Sequence, residues 1–193
     1  MTYATLAELQ EQANVSDNID NAVLTRALNA AIESIDDHCN RHFRVVSPSA
    51  TPTQRLYADV VGGRVSIDDA RSVTTVETRG SRRGDWTAVD ADDYELRPLN
   101  AETDSRPYTR LVLYVPSAPF QVRVTGRFGW PATPAVVKQA TLLQAARWAR
   151  RRDAPFGIAN LGMDEPGMRL LAKLDADVEL MLRGLRRRPV LVG

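Results

Sequence analysis

Two histidines near the end of the first long predicted helix have the spacing that a metal site would need. His38 and His42 are four positions apart, so a helix would bring both imidazoles to one face, with Cys39 close by. A zinc site needs three or four ligands, yet the chain has no HExxH motif and no third histidine. Both histidines also lie near a helix C-terminus, where the dipole favours cations. We therefore expect no metal and no other cofactor.

The side chains that could act as nucleophiles lack the setting that catalysis requires. Cys39 belongs to the apolar stripe of its helix, which favours an inert buried thiol, and no GxSxG sequence presents a serine on a turn. The loop 80–84 lacks the GK(S/T) ending of a phosphate loop, so we interpret it as a solvated hairpin tip. The acidic pairs 68–69 and 92–93 are typical of turns. The sequence thus predicts a protein that is not an enzyme.

Arginines cluster at the ends of two predicted helices. One cluster contains Arg147 and residues 150–152, and the other contains Arg183 and residues 186–188. Clustered cations attract phosphates, so contact with DNA is one interpretation. Cations also suit the negative end of a helix dipole, and they occur equally in protein interfaces. The sequence leaves these three alternatives open.

Composition limits the class of protein further. The 193 residues include 25 basic and 24 acidic ones, so the formal net charge is +1 and no overall field draws the chain to DNA or a membrane. Hydrophobic residues make up 44%, as in soluble globular domains. The single cysteine excludes an intrachain disulfide and fits a reducing compartment. Because no signal-peptide pattern and no apolar run of about 20 residues occurs, we expect a cytoplasmic origin and no membrane contact.

The elements that must position these residues fall into three blocks, of which the first is helical. In residues 2–43, Thr5 and Glu8 have the spacing of a capping box, and a longer helix begins after Asp20. The 3- and 4-residue spacing predicts that this helix buries Val23, Leu24, Ala27, Leu28, Ala31, Ile32, Ile35 and Cys39.

The second block, residues 45–130, changes to the period of strands. Gly62-Gly63 is predicted to form a tight hairpin turn, and the run 111–115 suits a strand covered on both faces. The predicted strands are 54–61, 64–67, 73–79, 86–89, 94–97, 110–115 and 121–128.

The third block, residues 133–188, returns to helical spacing. Thr133-Pro134 suits the start of an Ala-rich helix, residues 153–167 form a Gly- and Pro-containing loop, and a final helix follows. The predicted apolar face of this final helix contains Leu171, Leu174, Val178, Met181, Leu182 and Leu185. The blocks predict one domain, residues 1–193, with an α+β fold in which N- and C-terminal helices flank a β-rich region.

The tail, residues 189–193, is apolar and directly follows the second arginine cluster. A soluble protein rarely leaves such a segment exposed, so it either folds back on its own core or is covered by a partner. The apolar residues of the loop 155–163 raise the same two alternatives.

Several segments together resemble the head–tail connector (adaptor) family of tailed bacteriophages and gene transfer particles. They cover nearly the whole chain in family order, and their order and spacing are more specific than any one of them alone. They are YATLAEL from Tyr3, NAVLTRALNAAIESID from Asn21 running into CNRHF at Cys39, DYELRP from Asp93, VTGRFGWP from Val124 before the Ala-rich helix, and DADVELML from Asp175. Gly184-Leu185 stands where the family pattern has a Pro-Tyr-like pair.

The resemblance implies a non-enzymatic virion structural protein of the particle neck, whose fold is a helical bundle of N- and C-terminal helices carrying a β-rich insertion. Family members form a homo-oligomeric ring, usually of twelve copies, which docks under the portal protein and presents a surface to the next neck or tail-completion protein. DNA passes through the central channel without sequence-specific binding. Such a protein is assembled in the host cytoplasm and has no contact with a membrane.

The resemblance also implies which residues meet the portal, because the C-terminal region of such rings commonly reaches it. In this chain that region contains Arg183, Leu185, Arg186, Arg187, Arg188, Pro189, Val190, Leu191 and Val192. The β block would then meet neighbouring subunits or the next neck protein. The alternative from the residues alone is a DNA-binding accessory protein of packaging or regulation, which predicts DNA retention that falls steeply with salt.

Overall fold

The structure, a computed structural model, describes residues 3–14, 20–58, 60–117, 119–151 and 174–187. These ranges contain four α-helices: α1 (Leu6–Ala13), α2 (Asn21–Cys39), α3 (Ala135–Arg151) and α4 (Ala176–Leu182). They contain seven strands: β1 (Thr53–Tyr57), β2 (Val60–Val61), β3 (Arg64–Arg79), β4 (Thr87–Ala88), β5 (Tyr94–Arg97), β6 (Tyr108–Leu113) and β7 (Gln121–Phe128). The helices and the strands belong to two compact units, the helical unit and the sheet unit. None of the described helices is long and apolar enough to cross a membrane.

The helical unit begins with the predicted capping box. The backbone N–H of Glu8 donates to Thr5 Oγ1 at 3.3 Å, and Glu8 Oε2 accepts the N–H of Thr5 at 2.9 Å. Lys138 of α3 pairs with the same carboxylate, which ties α1 to α3. Hydrogen bonds from Lys138 and from the Thr5 backbone lower the pKa of Glu8. The start of α1 is therefore fixed both locally and by a long-range ion pair.

The predicted buried face of α2 is confirmed. Leu24, Leu28, Ala31, Ile35 and Cys39 are buried, and the other three predicted residues are half-buried. Together with apolar residues of α1 and α3, the first three form the core of the helical unit. Helix α2 begins directly after Asp20, as predicted, although the side chain of this N-cap residue makes no capping hydrogen bond.

The sheet unit is built from one antiparallel sheet in the order β1-β7-β3-β6-β5, with β2 and β4 also paired to β3. The hairpin between β2 and β3 turns at Gly62 and Gly63, as predicted, and both residues have positive φ angles of 56° and 72°. The buried faces of β3, β6 and β7 supply most of the core, which consists of Val65, Ile67, Ala70, Val76, Leu111, Leu113, Val122 and Val124.

The 16-residue strand β3 organises this sheet. Its first half pairs with β2 and β6, and its second half pairs with β4 and β7. The pairing register shifts once along β6 and twice along β7. The sequence predicted two strands here, 64–67 and 73–79, separated by a turn at Asp68-Asp69. That prediction is wrong because Asp69 lies inside the sheet unit, 7% exposed, where its Oδ2 accepts the indole N–H of Trp130 at 2.9 Å. A tertiary hydrogen bond outweighs the local turn preference of aspartate.

The end of β7 and the corner that follows it pack backbone against backbone. A Cβ on Gly126 would lie 2.3 Å from the carbonyl oxygen of Ser72, and one on Gly129, whose φ is +146°, would lie 2.7 Å from that of Arg44. The backbones of Trp130 and Val45 form an isolated parallel β-bridge. Only glycine permits such approaches, so the Gly-Arg-Phe-Gly-Trp sequence is explained by packing inside the sheet unit.

The structure corrects the predicted fold class. We expected a helical bundle built from the N- and C-terminal helices, with the strands as an insertion. Instead, a seven-stranded antiparallel sheet with its own core dominates an α+β fold that also contains four described helices. Of the helices predicted within 133–188, the described residues contain α3 and the seven-residue α4. The error arose because periodicity identifies strands singly, whereas a sheet is stabilised by pairing between distant segments.

Candidate interaction surfaces

The described part of the predicted portal-binding segment is held against the end of α2. Val178 and Leu182 of α4 are fully buried, and the chain then turns so that Arg187 N–H donates to the Cys39 carbonyl at 2.8 Å. Arg41 Nη1 donates to the Leu185 carbonyl at 3.2 Å. These bonds fix the backbone that leads into residues 188–192, which lie outside the described residues.

Within this anchored segment the predicted site residues divide into two kinds. Arg183 and Arg186 are exposed, whereas Leu185 and Arg187 are half-buried. The exposed arginines are therefore available to a partner, while Leu185 contributes to the fold of the helical unit. The predicted apolar anchors at positions 190 and 191 are not among the described residues.

The arginine cluster of α3 is partly neutralised within the chain. Arg147 pairs with Asp175 and lies 3.2 Å from the carboxylate of Asp177, and both acids belong to the start of α4. Arg150 is exposed, whereas the side chain of residue 151 and all of residue 152 lie outside the described structure. Arg147 thus has an intramolecular role that the sequence did not reveal, and this weakens the DNA interpretation of the cluster.

The histidine pair is not arranged as a helical metal site. Helix α2 ends at Cys39, and Asn40 adopts a left-handed conformation, so His42 lies beyond the helix. His42 Nδ1 is 2.8 Å from Asp36 Oδ2, and the other oxygen of Asp36 accepts the hydroxyl of Tyr3 at 2.5 Å. Among the described residues no group of three or more His, Cys, Asp or Glu could hold a metal ion. The Asp36 cluster instead fastens the N-terminal segment to α2.

Cys39 is fully buried, as its position in the apolar stripe predicted. Burial raises the pKa of its thiol to about 11, because a thiolate would lose its hydration there. The thiol therefore stays protonated at neutral pH and does not act as a nucleophile.

The outer face of the sheet carries an aromatic–arginine cluster that the sequence analysis missed. The guanidinium carbons of Arg79 and Arg123 lie 4.6 and 4.5 Å from the ring centroid of Trp86. Arg123 also donates two hydrogen bonds to Glu77, which lower the pKa of that carboxyl group. The alternation along β7 could have placed Arg123 on this face, but its partners are 37 and 46 positions away in sequence and had no local signal.

A groove of about 620 Å³ opens on the same unit beside β1 and β2. The described residues of its lining are Leu56, Tyr57, Ala58, Val61, Arg64, Ser66 and Arg110. They include two exposed arginines and three exposed aliphatic side chains. Burial raises the pKa of Tyr57.

Comparison with solved structures identifies the fold. The chain is similar to a chain in the neck of an empty GTA (gene transfer agent) particle, computed with C6 symmetry, at 20% identity and a TM-score of 0.55. It is also similar to a chain in the neck of a native GTA particle, computed with C12 symmetry, at 20% identity and a TM-score of 0.51. Each likeness covers 97% of this chain and 91% of the other. No protein-family model and no curated protein matches the sequence.

These likenesses establish the class of fold. The protein has the fold of chains found in the necks of GTA particles, over nearly its whole length. The resemblance that the sequence motifs indicated, to connectors of tailed phages and gene transfer particles, is therefore confirmed by the fold. At 20% identity the shared fold does not by itself assign a role.

Proposed function

We propose that this protein is a structural subunit of the neck of a phage-like particle, repeated around a ring. The observation that carries the proposal is the likeness of the complete fold to neck chains in structures computed with C6 and C12 symmetry. Dodecameric symmetry, docking under the portal and attachment of the next neck protein are the finer parts of this proposal. DNA would pass through the channel of the ring without sequence-specific binding.

Two physical features support a structural role. The 25 basic and 24 acidic residues give surfaces of both signs, so neighbouring copies can meet without strong repulsion. Weak interfaces that are repeated around a ring reinforce one another, which suits a protein that stays soluble until its template is present. We also propose that it is a non-enzymatic virion protein, assembled in the cytoplasm of the host.

The proposed portal contact begins at the anchored segment after α4. Arg183 and Arg186 are exposed there, and the backbone is fixed as far as Arg187, whose N–H donates to the Cys39 carbonyl. Residues Val190 and Leu191 would provide apolar contacts with the portal and the exposed arginines would provide charged ones. This arrangement separates a folding anchor from a binding extension.

Electron microscopy of the purified protein mixed with portal rings of the same particle tests the proposal. We expect an additional ring of density beneath the portal, absent when the protein is omitted. Truncation after Arg187 should abolish attachment and preserve the fold, because it keeps the hydrogen bond to Cys39. Arg26→Glu, an exposed change on α2, serves as the charge control.

Two results would contradict the proposal. A bare portal with unassembled full-length protein would contradict the ring, and full attachment of the truncated protein would contradict the C-terminal contact. Salt-dependent retention on DNA in place of portal binding would favour the accessory DNA-binding role.

A further inference from the structure

The end of the sheet that follows β3 is a cationic, aromatic tip. We define it by Arg79, Arg82, Arg83, Trp86 and Phe120. Arg82 and Arg83 are exposed, and neither forms an ion pair with any other described residue. Phe120, 46% exposed, is fixed beside Arg79 because its N–H donates to the Arg79 carbonyl at 2.9 Å. The tip therefore offers two exposed arginines on the turn between Arg79 and Trp86, together with two partly exposed rings.

A second patch has the opposite charge and also contains an aromatic ring. We define this acidic rim by Asp90, Asp92, Asp93 and Tyr114. The three aspartates are exposed, and Tyr114, 56% exposed, is fixed to them because its N–H donates to the Asp93 carbonyl at 2.8 Å. No basic residue occurs between positions 84 and 96, so nothing nearby in sequence neutralises the rim.

The two patches lie at different places on the sheet unit. The tip is the turn that follows Arg79, the last residue of β3. The rim begins at Asp90, next to Val89, whose N–H donates to the Val76 carbonyl at 2.9 Å, and it ends at Tyr114, next to Leu113, whose N–H donates to the carbonyl of Gly63 at 2.7 Å. Two complementary patches at separate places on one subunit can form a head-to-tail contact, which is the kind of contact that closes a ring.

We propose that the cationic tip of one copy binds the acidic rim of the next copy around the ring. This inference rests on the proposed function and specifies its subunit interface. Arg82 and Arg83 would pair with the aspartates through charge-assisted hydrogen bonds, and Phe120 and Tyr114 would provide apolar area at the centre. A second copy explains the tip and the rim together, whereas DNA would be repelled by the rim.

Charge reversal of each patch tests the inference in the presence of portal rings. R82E/R83E and D92R/D93R should each reduce assembled rings at least roughly tenfold, because like charges then face each other. Mixing the two variants should restore rings of alternating copies, since both contacts in the mixture again join opposite charges. R26E/R44E changes the net charge by the same amount as R82E/R83E, at exposed positions outside both patches, and should assemble like the parent.

The outcomes separate this interface from the proposed function. Normal rings from both reversed variants would overturn the interface while leaving the ring proposal intact. Loss of rings that mixing does not restore would also overturn it, and DNA retention lost only in R82E/R83E would then assign the tip to DNA. Failure of the unmodified protein to form a ring on the portal would overturn the function and the interface together.

Discussion

The helical unit and the sheet unit build their cores in different ways. In the helical unit the buried residues recur every three or four positions along α2 and α3, so each of these two helices brings an apolar stripe. In the sheet unit, by contrast, core neighbours such as Val76 and Val124 are far apart in sequence and meet through strand pairing. The comparison teaches that one core depends on side-chain stripes, whereas the other also depends on how closely distant backbones approach.

Their buried polar anchors differ in the same way. In the helical unit, Tyr3 links Asp36 to the backbone of Phe43, with hydrogen bonds of 2.5 and 2.8 Å. In the sheet unit, Asp69 links the middle of β3 to Trp130, 61 positions later. The first anchor joins the segment before α1 to α2. The second stabilises the extended conformation of β3 at Asp69, where the local sequence favours a turn.

The largest effects should come from truncating either core, and here the two units should respond alike. Phe43→Ala in the helical unit and Ile67→Ala in the sheet unit each remove a fully buried side chain. We expect losses of about 3–5 and about 2–5 kcal/mol in the free energy of unfolding, measured in urea. Leu56→Ala, at a position 60% exposed, is the control and should change stability little. Comparable losses at all three positions would contradict the assigned cores.

The two units should differ when a methyl group is added to a glycine. In the sheet unit Gly126→Ala places a Cβ against the Ser72 carbonyl, so strands β3 and β7 must separate locally. We expect a loss of about 2–3 kcal/mol in the free energy of unfolding. In the helical unit Gly184→Ala meets open space and should be close to neutral. Equal stabilities of the two variants in thermal unfolding would remove this distinction between the units.

Removing one hydrogen-bonding group from each polar anchor should have a smaller effect. Tyr3→Phe leaves Asp36 and the Phe43 N–H without that hydroxyl, and Trp130→Phe removes the indole donor from Asp69. We expect each change to reduce the free energy of unfolding by about 1–3 kcal/mol. Hydrogen exchange should locate the loosening: near the end of α2 for Tyr3→Phe and along the middle of β3 for Trp130→Phe. Uniform loosening of both units by either variant would argue against separate anchors.

The smallest effect concerns pH. The pKa values of Glu8 and Glu77 are lowered by hydrogen bonds from Lys138 and Arg123, so each carboxylate stabilises its unit above its unfolded pKa of about 4.3. That contribution is lost as pH falls through the lower folded pKa. Glu77→Gln should therefore flatten the acid side of the stability profile more than Glu8→Gln, because the Glu77–Arg123 pair is less exposed. A larger effect of Glu8→Gln would reverse this order.

Local spacing allowed the helical features to be predicted. The capping box of α1, the buried stripe of α2 and the burial of Cys39 all follow from residues within a few positions of one another. The Gly62-Gly63 hairpin is local as well, because two adjacent positive φ angles favour glycine. The motifs also indicated the connector resemblance.

Contacts between distant residues determined what the sequence analysis missed. The run 111–115 was expected to be covered on both faces, yet Tyr114 is exposed beside the acidic rim. The stacking of Trp86 between Arg79 and Arg123, and the pairing of Arg147 with α4, likewise had no local signal.

The sequence by itself determined the helical stripes, the caps and the tight turn, because their energetics involve neighbours one to four positions apart. Only the tertiary structure decided that β3 runs unbroken through Asp68 and Asp69, that the sheet dominates the fold, and that opposite charges gather in two patches of the sheet unit. The physical reason is that strand pairing and burial join residues tens of positions apart. Their combined free energy outweighs the local preferences from which the sequence is interpreted.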